Sequence, residues 1–384
     1  MPPIVDIHTH VYTPAYLDML RSRKKVPYVH DPADQNADSR LIILSSDDSA
    51  SIPADQRGRP VDSSYSDINV KLAFMRRHGI TTSVISLANP WLDFLDADEA
   101  QSWTERINND LEETCARVNS SSTKAQAEGN GGAKTLYAFG ALPLSAPSPS
   151  IVSNEITRLK TLPHMRGIIM GTSGLGAGLD DPALDPIWSS LEETQTLLFL
   201  HPHYGLPDEA FGGAEATQRY GHVLPLALGF PLETTIAVTR MLLSGVFDRF
   251  PKIKILLAHS GGTLPFLAGR IESCIAHERH FVANGGTTQG PVRSVWDVLK
   301  TNIYLDAVVY GEAGLKAAIH AAGGHDRLLF GTDHPFFPPL DEKEDSEWLS
   351  VSTNFSAIEK TLSPDQEAVR AVLGGNAVRI LNLN

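Results

Sequence analysis

The sequence predicts a (β/α)8 TIM barrel on three observations. Eight short β-rich runs recur along it, helix-length segments separate them, and residues able to hold a metal stand where several runs end. The runs are Ile4–His8, Ser83–Ala88, Leu136–Leu142, Gly167–Met170, Leu197–His201, Lys254–Ala258, Ile303–Val308 and Arg327–Gly331. Most are continuously apolar, the pattern of parallel strands buried on both faces. Between them lie Asp67–Arg77, Asp98–Arg117, Ser153–Lys160, Pro186–Glu193, Leu232–Phe247, Leu264–Ala276, Glu312–Ala321 and a C-terminal pair from Phe355 to Leu381. Eight such units in 384 residues fit one barrel domain over 1–384. A doubly wound open sheet is the alternative, but no Gly-x-Gly-x-x-Gly turn follows the first strand.

Two segments exceed a minimal barrel. Residues 11–65 form a polar insertion rich in Ser, Asp and Pro. It follows a strand, hence lies on the face where barrels build their sites, and reads as a lid. Residues 120–133 are rich in Ser, Gly, Ala and Lys and read as a mobile loop.

Composition narrows the partners. With 42% hydrophobic and 20% charged residues the chain is globular rather than disordered. Lys and Arg total 32 against 45 Asp and Glu, a net charge of −13, and no basic cluster exceeds Arg21–Lys25. A nucleic acid or an anionic membrane is therefore not the expected partner. An anionic substrate would need a local metal or buried arginines to offset this field. The apolar stretch from Val223 to Val246 is interrupted by Glu233 and Arg240, which argues against a membrane span. Cys115 and Cys274 cannot make a disulfide scaffold and read as packed thiols in a reducing compartment. The first residues, Met-Pro-Pro-Ile-Val-Asp, lack the basic and apolar regions of a signal peptide, so a cytoplasmic location is expected.

The 14 histidines point to chemistry. In His8-Thr9-His10 the two imidazoles, two apart on a strand, face the same way about 6.6 Å apart. Alone this is weak. His201-Pro202-His203 also ends a strand, His259 ends the next, and Asp333-His334 follows the last, all at the catalytic end of a barrel. Three imidazoles and a carboxylate suit one Zn²⁺ with an open position, with Mn²⁺ an alternative occupant. No lysine occurs between Lys160 and Lys252, so strands four and five offer none to bridge a second ion.

Four segments, Ile7-His8-Thr9-His10, Leu200-His201-Pro202-His203, Ala258-His259-Ser260-Gly261-Gly262 and Gly331-Thr332-Asp333-His334-Pro335, resemble the amidohydrolase superfamily. Within it the chain resembles the aminocarboxymuconate-semialdehyde decarboxylase branch. Ile85 to Trp91, Gly171 to Gly176, His201 to Pro207, Gly221 to Ala237 and Asp333 to Pro339 are similar to the fungal uracil-5-carboxylate (iso-orotate) decarboxylases. The resemblance implies a non-oxidative, metal-dependent decarboxylase acting in pyrimidine metabolism and thymine salvage. It implies His8, His10, His201 and Asp333 as metal ligands and His259 as the histidine assisting proton transfer. It implies Arg59 and Asn89 as contacts to a small anionic heterocyclic acid, and Phe336 as an aromatic packing on its ring. Arg270 is similar to an arginine that reaches the neighbouring site in homodimeric members. The implied reaction protonates C5 from Asp333 while Zn²⁺ stabilises the developing oxyanion.

Simpler readings stand beside these. Arg270 reads equally as half of a structural ion pair; Arg59 as a solvated surface residue and Asn89 as a turn residue before Pro90 are the lesser readings, since Asn89 stands at the end of the second strand. His203 and His334 read as packing histidines, and His222 stays open. The glycines of Gly171–Gly178 match no phosphate loop. The competing activities are decarboxylation of another aromatic acid such as a resorcylate, hydrolysis of an amide or lactone, and non-catalytic binding.

Overall fold

The computed structural model describes residues 3–34, 37–121, 134–146, 148–173, 176–283, 291–339 and 347–383. Eight parallel strands run in the order β1 (Val5–Val11), β5 (Thr82–Leu87), β6 (Leu136–Gly140), β7 (Met165–Gly171), β8 (Leu197–His201), β9 (Lys254–Leu257), β10 (Ile303–Asp306) and β11 (Leu328–Leu329). The last closes on the first through Ile7 N–H to Phe330 O at 3.0 Å, Asp333 N–H to His8 O at 2.8 Å and a parallel bridge between Thr9 and His334. This is the (β/α)8 TIM barrel expected.

The helices follow sequence signals. The insertion's α1 (Pro14–Ser22) starts at Thr13, whose side chain caps Tyr16 N–H, with Pro14 in the first turn. Helix α4 (Ala100–Ser121) turns Ile107, Leu111, Cys115 and Val118 inward at helical spacing. Helices α5 (Pro149–Leu159), α6 (Asp185–Thr194), α7 (Phe230–Leu243), α8 (Leu264–Ala283), α9 (Glu312–Ala322) and α10 (Leu349–Leu362) help complete the outer layer. Two apolar clusters result. One holds residues such as Leu111, Ile156, Trp188 and Leu315, where helices meet strands; the other gathers Phe139, Phe199 and the insertion's Tyr12, Tyr16 and Tyr65.

The insertion carries more structure than its polar composition suggests. Besides α1 it holds a three-stranded antiparallel sheet of β2 (Tyr28–His30), β3 (Ser39–Ile42) and β4 (Arg59–Val61). Helices α2 (Ser63–Ser66) and α3 (Ile68–Arg77) lead back to the barrel. Strand eight is shorter than expected because Phe330 N–H leaves the sheet for Val372 O at 3.0 Å. Most of the 120–133 loop and residues 174 and 175 of the glycine-rich segment lie outside the described residues. Cys115 is buried, but Cys274 is exposed on α8, so only one thiol is packed. Pro225–Leu243 has the length and composition to cross a membrane. Its Glu233 is nevertheless buried against barrel loops, accepting from Thr172 Oγ1 at 2.8 Å, Ser173 Oγ at 2.6 Å and Gly205 N–H at 2.7 Å.

Candidate metal centre and acid-binding pocket

Five of the histidines and carboxylates marked from sequence converge at the carboxyl end of the barrel. One ligand atom each from His8, His201, His259 and Asp333 lie within 4.8 Å of one another. His8 Nε2 is 3.2 Å from Asp333 Oδ1 and 3.1 Å from His201 Nε2, and His259 Nε2 is 3.6 Å from Asp333 Oδ2. His10 stands at the edge of this group, its Nε2 3.6 Å from Asp333 Oδ1 and its ring centre 5.0 Å from that of His8. The tight set thus contains His259 where the sequence expectation placed His10.

Local backbone explains the convergence. His259 and Asp333 take positive φ of 52° and 58°, which few non-glycine residues adopt and which swings both side chains across the mouth. A Cβ at Gly331 would fall 2.5 Å from that of His8, so glycine lets the last strand approach the first. Phe199 meets His8 at 5.0 Å between ring centres and Phe139 at 5.6 Å, making an aromatic floor.

Each imidazole is oriented by an outer partner. His8 Nδ1 faces Asp306 Oδ2 at 2.6 Å, and His201 Nδ1 donates to Pro202 O at 2.7 Å. His10 Nδ1 is 3.3 Å from both Leu87 O and Ser86 Oγ. All three therefore present Nε2 to the centre, as metal-ligating histidines do. Asp306 was missed from sequence; its signal was a carboxylate at the end of the apolar run Ile303-Tyr304-Leu305. It also accepts from the backbone of His259 at 3.0 Å and Ser260 at 2.7 Å.

The protonation pattern follows from this packing. Burial alone would lower His8, but Asp333 and the bond to Asp306 outweigh it and carry its pKa up to about 10. Burial brings His10 down to about 4 and His201 well below the usual histidine range. Burial would raise Asp333, but His8 above all, with His10 and His259 each 3.6 Å from its oxygens, holds it ionised. Buried nitrogens without partners, His10 Nε2 and His259 Nδ1, complete the picture. A divalent ion fits here: the donors are imidazole and carboxylate, and His10 Nε2 lacks the partner an ion supplies.

Beside this cluster lies a cation. Arg59, the first residue of β4, reaches Tyr12 Oη, Asn89 O at 2.7 Å and Asn89 Oδ1 at 3.2 Å. Its guanidinium carbon is 5.1 Å from the Phe336 ring centre and 5.7 Å from that of Tyr65. Its Nε is buried without a partner, and it makes no ion pair among the described residues. It is half-buried, not a solvated surface arginine. Phe336 joins the two halves, 5.7 Å from the His10 ring. Asn89 is buried and donates to His203 O at 2.9 Å, so it is more than a turn residue. His203 and His334 are buried packing residues, against Tyr204 at 3.8 Å and Phe74 at 3.9 Å between ring centres. His222 is exposed. Arg270 is also exposed, on α8, and makes no ion pair among the described residues.

The amidohydrolase family profile matches residues 5–383. The chain belongs to the amidohydrolase family. This amidohydrolase is similar to IDCase of Metarhizium anisopliae, solved in apo form, at 47% identity over 100% of this chain and 97% of that one, with a TM-score of 0.88. It is 30% identical to the 2-amino-3-carboxymuconate-6-semialdehyde decarboxylase of Dictyostelium discoideum, over 65% of this chain and 62% of that protein. A dihydroxybenzoic acid decarboxylase from Polaromonas sp. JS666 shares the fold at 22% identity and TM-score 0.65, over 100% of this chain and 98% of that one; it was solved with manganese and 2-nitroresorcinol. The relatives so named as decarboxylases are carboxy-lyases.

Proposed function

We propose that this amidohydrolase is a metal-dependent, non-oxidative carboxy-lyase that converts uracil-5-carboxylate to uracil and CO₂. The observation that carries the reading is Arg59, a cation with no carboxylate partner among the described residues, set across Phe336 from a histidine–aspartate cluster. Such a pair can hold a planar acid by its anion and its ring. The 47% identity to IDCase, an isoorotate decarboxylase, over the whole chain supports the pyrimidine ring as substrate.

The chemistry needs a proton on carbon before the carboxylate leaves, because direct loss of CO₂ would strand an sp² carbanion. Protonation at C5 makes that carbon tetrahedral. The C–C bond then breaks, its electrons restore the C5–C6 double bond, and CO₂ departs. A divalent Zn²⁺ or Mn²⁺ would be held by His8, His10, His201 and Asp333 with His259 beside them, and would supply Lewis-acid stabilisation of the charge developing on the adjacent 4-oxo group. Asp333 delivers the proton, and His259, 3.6 Å away, passes it on from solvent. Arg59 and Asn89 bind the acid, and Phe336 packs on the ring. Residues 11–65 act as the lid by bringing Arg59 over the mouth. In the same reading the protein is a cytoplasmic homodimer, joined through the face of α8 where Phe266 is 84% exposed one turn before Arg270.

Uracil and CO₂ are measured from uracil-5-carboxylate with the metal-loaded protein, Asp333→Asn serving as control. Stoichiometric product, lost in the variant, is expected. Full activity in the variant would remove Asp333 as acid. No product from metal-containing protein would discard the pyrimidine and turn to dihydroxybenzoates, and a ring-opened product without CO₂ would mean hydrolysis.

A further inference from the structure

Lys71, on α3, is completely buried. Its Nζ contacts Thr9 Oγ1 and His334 Nδ1, and among the described residues it has no carboxylate within ion-pair distance. An ammonium group taken out of water onto neutral acceptors is costly, so a fold keeps one only where it serves something. Burial pulls its proton affinity below the ordinary lysine range, against the opposing fields of Asp6 and Asp333. Charged or neutral, the nitrogen carries at least two hydrogens and can donate to both partners.

Those partners hold the two backbone segments that build the donor cluster. Thr9 lies between His8 and His10, and His334 follows Asp333. Thr9 Oγ1 donates to His334 O at 3.2 Å, and His10 N–H donates to the same oxygen at 2.7 Å. The His334 ring packs against both Phe74 at 3.9 Å and Trp348 at 4.6 Å, which also meet each other at 5.2 Å. Phe74 is on α3 with Lys71, so one helix grips the end of the last strand by a ring and by an amine. The same helix follows α2, whose Tyr65 lies beside Arg59.

We propose that Lys71 is a positioning residue, pinning the His8-Thr9-His10 strand end to the Asp333-His334 turn and so setting the metal affinity of the cluster. This rests on the metal-site reading above. No part of the mechanism uses Lys71, which touches neither the cluster's ligand atoms nor the pocket around Arg59.

The test is calorimetric titration of Mn²⁺ and Zn²⁺ into the metal-stripped full chain, with thermal unfolding alongside. Lys71→Met keeps the stem packed against Phe74 and removes the donors. Its affinity is expected to fall ten- to a hundredfold, as for other outer partners of metal ligands. Thr9→Val, which removes one acceptor, should weaken binding in the same direction, and it decides the matter if Lys71→Met does not fold. Ile156→Ala on α5, buried far from the pin, should lower stability and leave affinity unchanged. Wild-type affinity in folded Lys71→Met or Thr9→Val, with only stability lowered, overturns the positioning role. Absence of metal binding by the wild type overturns the metal reading and this inference with it.

Discussion

His8 Nδ1 lies 2.6 Å from Asp306 Oδ2, with both side chains out of reach of solvent. The contact puts the proton on Nδ1 and leaves Nε2 turned to the cluster. Because Asp306 also accepts from the His259 and Ser260 backbone, one carboxylate from β10 orients histidines from two other strand ends. Asp306→Asn retains the size but offers an amide where four donors converge, from His8 and the backbone of His259, Ser260 and Val308. Mn²⁺ affinity should fall by about ten- to a hundredfold, measured by titration into stripped protein. Unchanged affinity would mean that packing against Phe199 alone aims His8.

Arg59 should act on the acid and not on the metal. Its role rests on a planar fork wedged between Asn89 and three aromatic rings. A lysine offers a point charge instead, so Arg59→Lys is not a conservative change here. Losing a charge-assisted hydrogen bond of about 1.5–3 kcal/mol implies a drop in kcat/KM of roughly ten- to a hundredfold. Metal content, read by elemental analysis, should stay at the wild-type level. A variant that loses its metal would place Arg59 in support of the cluster instead.

How far the sequence could be read depended on what apolar patterning can report. The barrel was legible because its strands are buried on both faces, so each stood out as an apolar run. The metal-type residues were legible because they interrupt those runs at their ends. Strands β2 and β4 have only three residues each and lie among polar ones, so periodicity had nothing to register. Glu233 looked like an interruption in an apolar helix; in the fold it is a buried acceptor. Lys71 escaped notice because no pattern announces a charged residue that folding buries, whereas Asp306 carried the run-end signal but stood outside the histidine motifs. His259 joins the tightest set with a positive φ of 52°, which no spacing rule conveys.

Asp93 makes stability depend on pH. It lies 3.5 Å from His203 Nε2 and accepts from Tyr204 Oη at 3.0 Å. Burial pushes its pKa up from 3.8 to about 7, only partly opposed by the Tyr204 bond. The folded state then holds a proton that the unfolded chain releases. This contribution is fully present below pH 3.8 and disappears as pH rises through about 7. Asp93→Asn, neutral throughout, should remove that slope. Urea unfolding at pH 5 and pH 8 should show the wild type losing on the order of 2–4 kcal/mol more than the variant. Parallel losses would mean that the Asp93 carboxyl is better hydrated than its packing implies.

Glu233 yields the largest expected stability effect outside the metal centre. Every contact to it is a donor: Thr172 and Ser173 hydroxyls on Oε1, the Gly205 amide on Oε2, and the His203 amide at 3.1–3.2 Å from both oxygens. It therefore ties the loops after β7 and β8 to α7. The β8 loop includes Pro202, whose carbonyl orients His201. In Glu233→Gln the hydroxyls can rotate to accept from the new amide while the backbone donors keep one oxygen, so a loss of about 1–2 kcal/mol is expected. Glu233→Ala leaves two buried backbone N–H groups without partners, at about 1–3 kcal/mol each. Urea unfolding should rank wild type above Gln and Gln above Ala, with metal affinity following the same order as His201 loses its fixed orientation. An alanine variant within about 1 kcal/mol of wild type would show that water replaces the carboxylate without loss.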